Sequence, residues 1–453
     1  MQVTTGNRGA GASRAEVNDI LASRKIEHVV VLGANGTMGY GSGALFTRAV
    51  PRVTFLARSK EKAEQGLAKA IGMVRSATVA NHVDCGSYDE LFDSSVADAD
   101  LVFEAVTERL DVKREIFERV DRVRREDSVI ATVTSGLSIN QLAEGRSESF
   151  RANFLGWHFF NPPNVIVGTE LIAGKATDPK LVDFIELFSE KRLGRVMIRT
   201  ADTAGFAGNR IGFKVLNEVC QLAEEHGPLL VDRIIGPHTG RALPPLATVD
   251  LVGWDIHRAI VDNIYENAAD EAHDTLALPG FMAHLMERGT LGRKTGRGFT
   301  MRDGGRTLAL DPKTGDYTPV AEITLPDLSY IDEVTRLHRL GDYRAGMQRL
   351  LEAPGPYAAL ARKVVAGYVS YAFHRVGEVT DTILGIDLIM GLGFNWAPPS
   401  VLVDTLGPEA TVRMMEESAV AVPECLREAV RTGGPERFFT DRRVNVGKFF
   451  VAS

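Results

Sequence analysis

Four polar residues stand where their types and spacing suit chemistry: Ser135, His158, Glu170 and Asn209. His158 ends the apolar run Phe154–Trp157 and opens the string His158-Phe159-Phe160-Asn161-Pro162-Pro163. Glu170 follows twelve positions later, beyond a turn rich in Pro and Asn. If that turn folds back, the carboxylate reaches the imidazole. Such a pair suits the oxidation of an alcohol. The imidazole accepts the hydroxyl proton as hydride leaves the carbon, while the carboxylate orients the ring and stabilises the imidazolium. An unperturbed histidine pKa of ~6.5 lies near working pH. Spacing alone favours the plainer alternative, a histidine hydrogen-bonded inside a core. Ser135 ends the run Val129–Thr134. Asn209 opens a long helical pattern with Ile211, Val215, Val219 and Leu222 on one face, after a crossover at Ala204-Gly205-Phe206-Ala207-Gly208. It is suited to donate to a carbonyl oxygen as charge develops there. A helix-start cap explains it equally well.

The elements that must position these residues read as a nucleotide-binding sheet. Ile26–Leu32 is an apolar, β-branched run that predicts a buried parallel strand. Gly33-Ala34-Asn35-Gly36-Thr37-Met38-Gly39 follows, then a helix-compatible segment through Arg48 and a second strand, Arg52–Leu56. A glycine-rich first turn in a βαβ unit brings backbone N–H groups and a helix N-terminus against a pyrophosphate. The alternative is a plain tight turn. Gly33, Gly36, Thr37, Met38 and Gly39 are therefore candidate cofactor contacts, although Asn35 is one residue more than G-x-G-x-x-G allows. An acid at the end of the second strand would hold the ribose 2′-hydroxyl of NAD. Here the segment is Ala57-Arg58-Ser59-Lys60. No acid repels a 2′-phosphate, and Arg58 with Lys60 can pair with one, so the charge leans to NADP over NAD. The alternative is that both cations merely solvate a helix start. Further strands are expected at Leu101–Ala105, Val129–Thr134, Phe154–His158, Glu170–Ala173 and Arg195–Arg199, with helices at Arg109–Arg124 and Pro179–Lys191.

The bulk composition excludes several classes. The 453 residues allow about three domain-sized units. Hydrophobic residues at 44% and charged residues at 25% are ordinary for a water-soluble globular chain. The net charge of -7, without a basic run, disfavours nucleic acid and anionic membranes. Cys85, Cys220 and Cys425 lie far apart, with neither metal-ligand nor disulfide spacing, which fits a reducing cytoplasm. No metal site is expected. No apolar stretch approaches the ~20 residues that span a bilayer. Met1–Ser13 reads as a disordered lead-in, with a short helix from Arg14 to Lys25.

A second pattern lies further on. Asp232-Arg233-Ile234-Ile235-Gly236 leads to Pro244-Pro245, Asp250 and Gly253; Asp387-Leu388-Ile389-Met390-Gly391 leads to Pro398-Pro399, Asp404 and Gly407. From first proline to aspartate is six positions in both, and from proline to glycine nine in both. So many fixed points mark an internal repeat. The second copy has no Asn-Arg pair near Ala359–Val365 and reads as structural. Between the copies, Arg302–Gly355 suggests a hairpin followed by one helix, Ile331–Leu351.

Taken together, these segments resemble the 3-hydroxyacyl-CoA dehydrogenase family. The resemblance runs from about Ile26 to Met301. It rests on Gly33–Gly39, Glu104-Ala105-Val106-Thr107-Glu108 with Lys113, Thr134–Ile139, His158–Pro162 with Glu170, Gly205-Phe206 with Asn209-Arg210, and Gly292–Phe299. It implies an α/β plus all-α fold: an N-terminal Rossmann-type doubly wound sheet followed by two related helical domains. The expected parts are residues 1–25 as lead-in, 26–200 as NAD(P)-binding domain, 201–302 as first helical domain, 303–355 as linker and 356–453 as the repeat. It implies hydride transfer between a nicotinamide and C3 of a 3-hydroxyacyl thioester, with His158 as base, Glu170 as its partner, and Ser135 and Asn209 on the substrate. Glu108, Lys113 and Lys294 would help hold the cofactor; by themselves they read as solvated charges and a turn lysine.

The sequence also departs from the family pattern. Gly136 stands where a second serine is usual, Ala204 where a proline is, and Ile166-Val167-Gly168-Thr169 where a lysine is. The stretch before Leu101 is short for the family's projecting helical pair, which helps shape the CoA site. The carrier is therefore either CoA or an acyl-carrier protein. Single-copy relatives dimerise through the helical domain, so the repeat implies a pseudo-dimeric monomer or a higher oligomer. Two other readings remain: a dehydrogenase of a free hydroxy acid, and a cofactor-binding sensor without catalysis.

Overall fold

The computed structural model describes residues 13–435 and 437–441. The lead-in expected before Ser13 and the last residues of the repeat, 442–453, lie outside the described residues. The chain divides into two compact units, the first running to 207 and including 378–385, the second made of the rest.

The first unit opens with α1 (Arg14–Ala22), started by a reciprocal cap: Ser13 accepts the Glu16 N–H, and Glu16 accepts the Ser13 N–H. Then come β1 (His28–Leu32), α2 (Thr37–Phe46), β2 (Arg52–Ala57), α3 (Lys60–Val74), β3 (Val83–Ser87), α4 (Tyr88–Asp98), β4 (Leu101–Glu104) and α5 (Leu110–Val123). β5 (Val129–Thr132), α6 (Ile139–Leu142), α7 (Glu148–Ala152), β6 (Phe154–Phe159), β7 (Gly168–Ala173), α8 (Pro179–Phe188) and β8 (Val196–Thr200) complete it. The strands form one sheet in the order β3-β2-β1-β4-β5-β6-β7-β8. β1 to β6 run parallel, whereas β7 is antiparallel to β6.

Both faces of this sheet are covered, which is why β1 and β4 are wholly buried. Alternate side chains serve opposite cores. Val29 and Val31 pack with Phe55, Phe103 and Trp157; Val30 and Leu32 pack with Leu56, Phe117 and Phe150. β1 lies between β2 and β4, so the chain's winding reverses there and a crevice opens beyond the carboxyl ends.

Between the second strand and Leu101 the chain is more regular than its sequence suggested. It holds α3, a short 3-10 turn (Ala77–His82), β3 and α4. Gly66 of α3 sits so close to the turn after β1 that a Cβ there would lie 2.3 Å from the Ala34 carbonyl oxygen.

The second unit contains α9 (Gly208–His226), α10 (Pro228–Ile234), α11 (Pro245–Val252), α12 (Trp254–Asn267) and α13 (Gly280–Glu287). β9 (Thr300–Asp303), β10 (Arg306–Leu310) and β11 (Tyr317–Pro319) form a small antiparallel sheet. Next are α14 (Ser329–Arg339), α15 (Tyr343–Glu352), α16 (Pro356–His374), α17 (Ile383–Ile389), α18 (Pro399–Leu406), α19 (Pro408–Glu417) and α20 (Glu424–Thr432). The single helix expected at Ile331–Leu351 is two helices. Gly341 at φ +82° breaks it, and the Asp342 side chain caps the next helix through the Ala345 N–H.

The repeated residues do the same local work twice. α11 and α18 are both eight residues long, start on the second proline and stop at a left-handed glycine, Gly253 or Gly407. Asp250 accepts the Phe299 and Thr300 N–H groups; Asp404 accepts those of Phe438 and Phe439. Asp232 accepts the Leu246 N–H at the start of α11, and Asp387 accepts the Ser400 N–H at the start of α18.

Burial pushes both Asp232 and Asp387 up to about 7. A carboxyl raised on folding binds its proton more tightly in the native state, so its stabilising effect fades as pH rises from the ordinary carboxylate range towards 7. Thermal unfolding followed between those limits should show a slope that Asp387→Asn makes shallower; an unchanged slope would mean the carboxyl is ionised throughout.

Candidate active site

The His–Glu pair is made by sheet register. β6 and β7 pair antiparallel with His158 directly opposite Glu170. Their side chains emerge on one face, and His158 Nδ1 lies 2.7 Å from Glu170 Oε2. Both are buried, Glu170 completely. Its other oxygen, Oε1, accepts the Ala207 N–H at 3.0 Å. An ionised carboxylate can only accept, so Nδ1 is the nitrogen that donates to it and Nε2 is the one Glu170 does not engage. The imidazole ring is held between Phe160 and Phe206, at centroid distances of 4.8 and 5.8 Å. The result is an oriented imidazole set in an apolar collar.

The neighbouring strands complete the rim. Thr132 of β5 pairs with Gly156 of β6, so Ser135 and His158 leave adjacent strands at the same edge. The Ser135 N–H donates to Glu108 Oε1 at 2.8 Å, and the Thr134 hydroxyl donates to the same oxygen. Glu108 thus ties the turn after β4 to the turn after β5.

Beneath that tie lies a residue that sequence reasoning did not single out as functional. Glu104, the last residue of β4, is fully buried. It accepts from Lys113 Nζ at 2.7 and 2.9 Å, from the Thr132 hydroxyl, and from the Val106 N–H at 2.7 Å. An acid closing an apolar strand was the available signal. Burial disfavours the Lys113 charge, but the carboxylates of Glu104 and Glu108 outweigh it and raise the ammonium above the ordinary lysine value. Lys113, which the family resemblance assigns to the cofactor, here braces the β4–α5 turn.

The crevice at the end of β1 is a cavity of about 1020 Å3, lined by Gly33, Asn35, Gly36, Arg58, Tyr88, Ala105 and Val106 among others. Its glycines fit a dinucleotide. A Cβ on Gly33, at φ +79°, would fall 2.4 Å from the Ala105 oxygen, and one on Gly39 would fall 2.3 Å from the Gly33 oxygen. Gly36 meets nothing nearer than 3.4 Å and leaves its backbone open to the cleft. Thr37 and Met38 begin α2, and no side chain caps that helix, so its first N–H groups remain available to a pyrophosphate.

The family comparison follows this geometry. The family model described as the NAD binding domain of 3-hydroxyacyl-CoA dehydrogenase matches residues 28–203, and the model described as its C-terminal domain matches 205–301. The chain belongs to the 3-hydroxyacyl-CoA dehydrogenase family. A probable 3-hydroxyacyl-CoA dehydrogenase of Bacillus subtilis is 32% identical over 76% of this chain, which spans only 43% of that relative. A protein of the same description from Deinococcus radiodurans is 31% identical over 61% of this chain and 82% of its own length. The solved 3-hydroxybutyryl-CoA dehydrogenase of Escherichia coli K12 superposes with a TM-score of 0.63, covering 87% of this chain and 94% of that one. At 20% identity it shows the fold alone.

The remaining two family positions lie in the second unit. Asn209 is buried in the first turn of α9. Its neighbour Arg210 donates to Tyr371 and Asp270, both at 2.7 Å. Lys294, in the turn Arg293–Thr295, pairs with Asp255. Both members of that pair are more than two-fifths exposed.

The two lysines therefore differ in weight. Lys113→Met leaves Glu104 buried without its counter-charge and should cost about 3–5 kcal/mol. Lys294→Ala should cost no more than about 1 kcal/mol. Urea unfolding of the two variants beside the parent protein checks both, and equal losses would refute the ranking.

Proposed function

We propose that this protein is a 3-hydroxyacyl-CoA dehydrogenase that uses NADP(H) in preference to NAD(H). The observation that carries the reaction is the 2.7 Å contact between His158 and Glu170 at the carboxyl edge of the sheet. Nε2 of His158 takes the C3 hydroxyl proton in the oxidative direction and returns it in the reductive one. Glu170, buried and fixed by the Ala207 N–H, holds the ring and balances the imidazolium that forms. When bound, the nicotinamide supplies or accepts the hydride. The family resemblance assigns Ser135 and Asn209 to the substrate near its reacting carbon.

Gly33, Gly36, Thr37, Met38 and Gly39 are the proposed pyrophosphate cradle, with Glu108 and Lys113 shaping the adjoining turn and Lys294 a further contact. The preference for NADP(H) rests on Arg58 at the end of β2, where no acid stands, exposed and lining the cleft. The relatives named above support a CoA thioester as the substrate. The composition supports a cytoplasmic setting. The duplicated pattern supports a chain in which the second copy takes the place of a partner subunit.

Absorbance of the reduced cofactor, followed with acetoacetyl-CoA, tests this directly. NADPH should be consumed faster than NADH at limiting cofactor. His158→Ala should lower kcat by about 10²–10⁴-fold. No consumption of either cofactor with CoA thioesters of any chain length would overturn the reading.

A further inference from the structure

Among the polar groups that line the cleft, the Tyr88 hydroxyl reaches the first turn and has no part in the proposed reaction. Tyr88 is the first residue of α4, directly after β3. Ala57 pairs with Ser87 across β2 and β3, so Arg58 and Tyr88 leave neighbouring strands side by side. The phenol then crosses the end of β2 towards the first turn, where its Oη accepts the Gly33 N–H at 2.9 Å. Its ring packs edge-on against Phe92, with centroids 6.0 Å apart. Arg58, Tyr88, Phe92, Gly33 and Gly36 all line the same cavity.

This hydroxyl is not required to satisfy the turn. The Gly33 N–H also reaches the Leu56 carbonyl at 3.0 Å. The phenolic proton, in contrast, has no acceptor among the described residues, and Arg58, which lines the same cavity, forms no ion pair among them. Burial pushes the phenol up to about 12, so it keeps its proton at any working pH. An unspent O–H donor, fixed by a ring contact and standing beside an unpaired guanidinium, is suited to a phosphate.

We propose that Tyr88 is a cofactor-selectivity residue whose hydroxyl donates to the 2′-phosphate of NADP(H) alongside Arg58. The assignment rests on the NADP(H) reading above and deepens it. A phosphate oxygen is the stronger acceptor because it is charged, whereas the 2′-hydroxyl of NAD(H) is neutral. The ring is already held in place by Phe92 and Gly33, so little freedom is lost when the contact forms.

The test is a fluorescence titration of the whole protein with NADPH and with NADH, for the parent, Tyr88→Phe and Arg58→Ala. Phenylalanine keeps the ring against Phe92, and Leu56 still satisfies Gly33, so Tyr88→Phe should melt like the parent. It should weaken NADPH about tenfold, while NADH changes by less than about threefold. If Arg58→Ala loses the NADPH preference but Tyr88→Phe keeps it, the role of Tyr88 is wrong and the cofactor reading stands. If Tyr88→Phe tightens both cofactors, the phenol is an obstruction, and the assignment fails. If the parent prefers NADH and Arg58→Ala leaves that unchanged, the cofactor reading fails and takes Tyr88 with it.

Discussion

A carboxylate removed from water must be paired, and Glu170 is removed from it completely. One oxygen takes the His158 ring and the other a backbone N–H, that of Ala207. This satisfaction explains why the loop between β6 and β7 turns the chain back on itself. An antiparallel partner places residue twelve of the hairpin directly opposite residue zero, which parallel strands of that separation cannot do. The change of strand direction between β6 and β7, which β8 shares, is therefore what brings His158 and Glu170 together. The pair also has a direction: with Nδ1 donating to the carboxylate, Nε2 is the ring nitrogen left for the proposed proton exchange.

The same rule governs the cofactor side. Glu104 ends a strand buried on both faces, and Lys113 returns from α5 to meet it. The pair contributes no surface for a ligand; it holds the turn between them, where Val106 lines the crevice and Glu108 reaches Ser135. Two buried polar pairs thus flank the site, one set by sheet register and one by a helix packing back on its strand. The sheet's winding reversal at β1 opens the space between the strand ends. The glycines keep the turn low enough for a backbone to approach.

Much of this was legible from the residues. β1, β2, β4, β5 and β6 are dense apolar runs, whereas the Pro/Asn turn before Glu170 left open whether the chain folds back, and only the sheet register shows the antiparallel return. β3 was not legible. Val83-Asp84-Cys85-Gly86-Ser87 lacks an apolar run because it is the edge strand, with Asp84 facing water. Missing β3 also hid Tyr88, whose reach to Gly33 depends on a strand order that spacing does not reveal. The break at Gly341 was overridden by the apolar pattern on both sides of it, although glycine followed by aspartate is a stop and a cap in sequence. Glu104 was visible only as a motif letter. Its partner lies nine residues on, and only the fold shows that the two meet beneath the turn.

The duplicated pattern read from the sequence raises a different question, namely what a second copy without the Asn-Arg pair would do. The answer lies in the helices that open the two copies, α9 and α16, each nineteen residues long. Arg210 near the start of α9 bonds to Tyr371 near the end of α16, and Asp270 receives Arg210, Tyr371 and Arg375 together. These groups are nearly all buried, so none can be left unpaired cheaply. The first copy contributes Arg210 and Asp270; the second contributes the tyrosine and arginine that close the cluster. Arg210 immediately follows Asn209, so the turn that carries Asn209 is anchored by the copy that lacks its own. The shared aspartate, Asp270, ties the two segments together through Arg210, Tyr371 and Arg375.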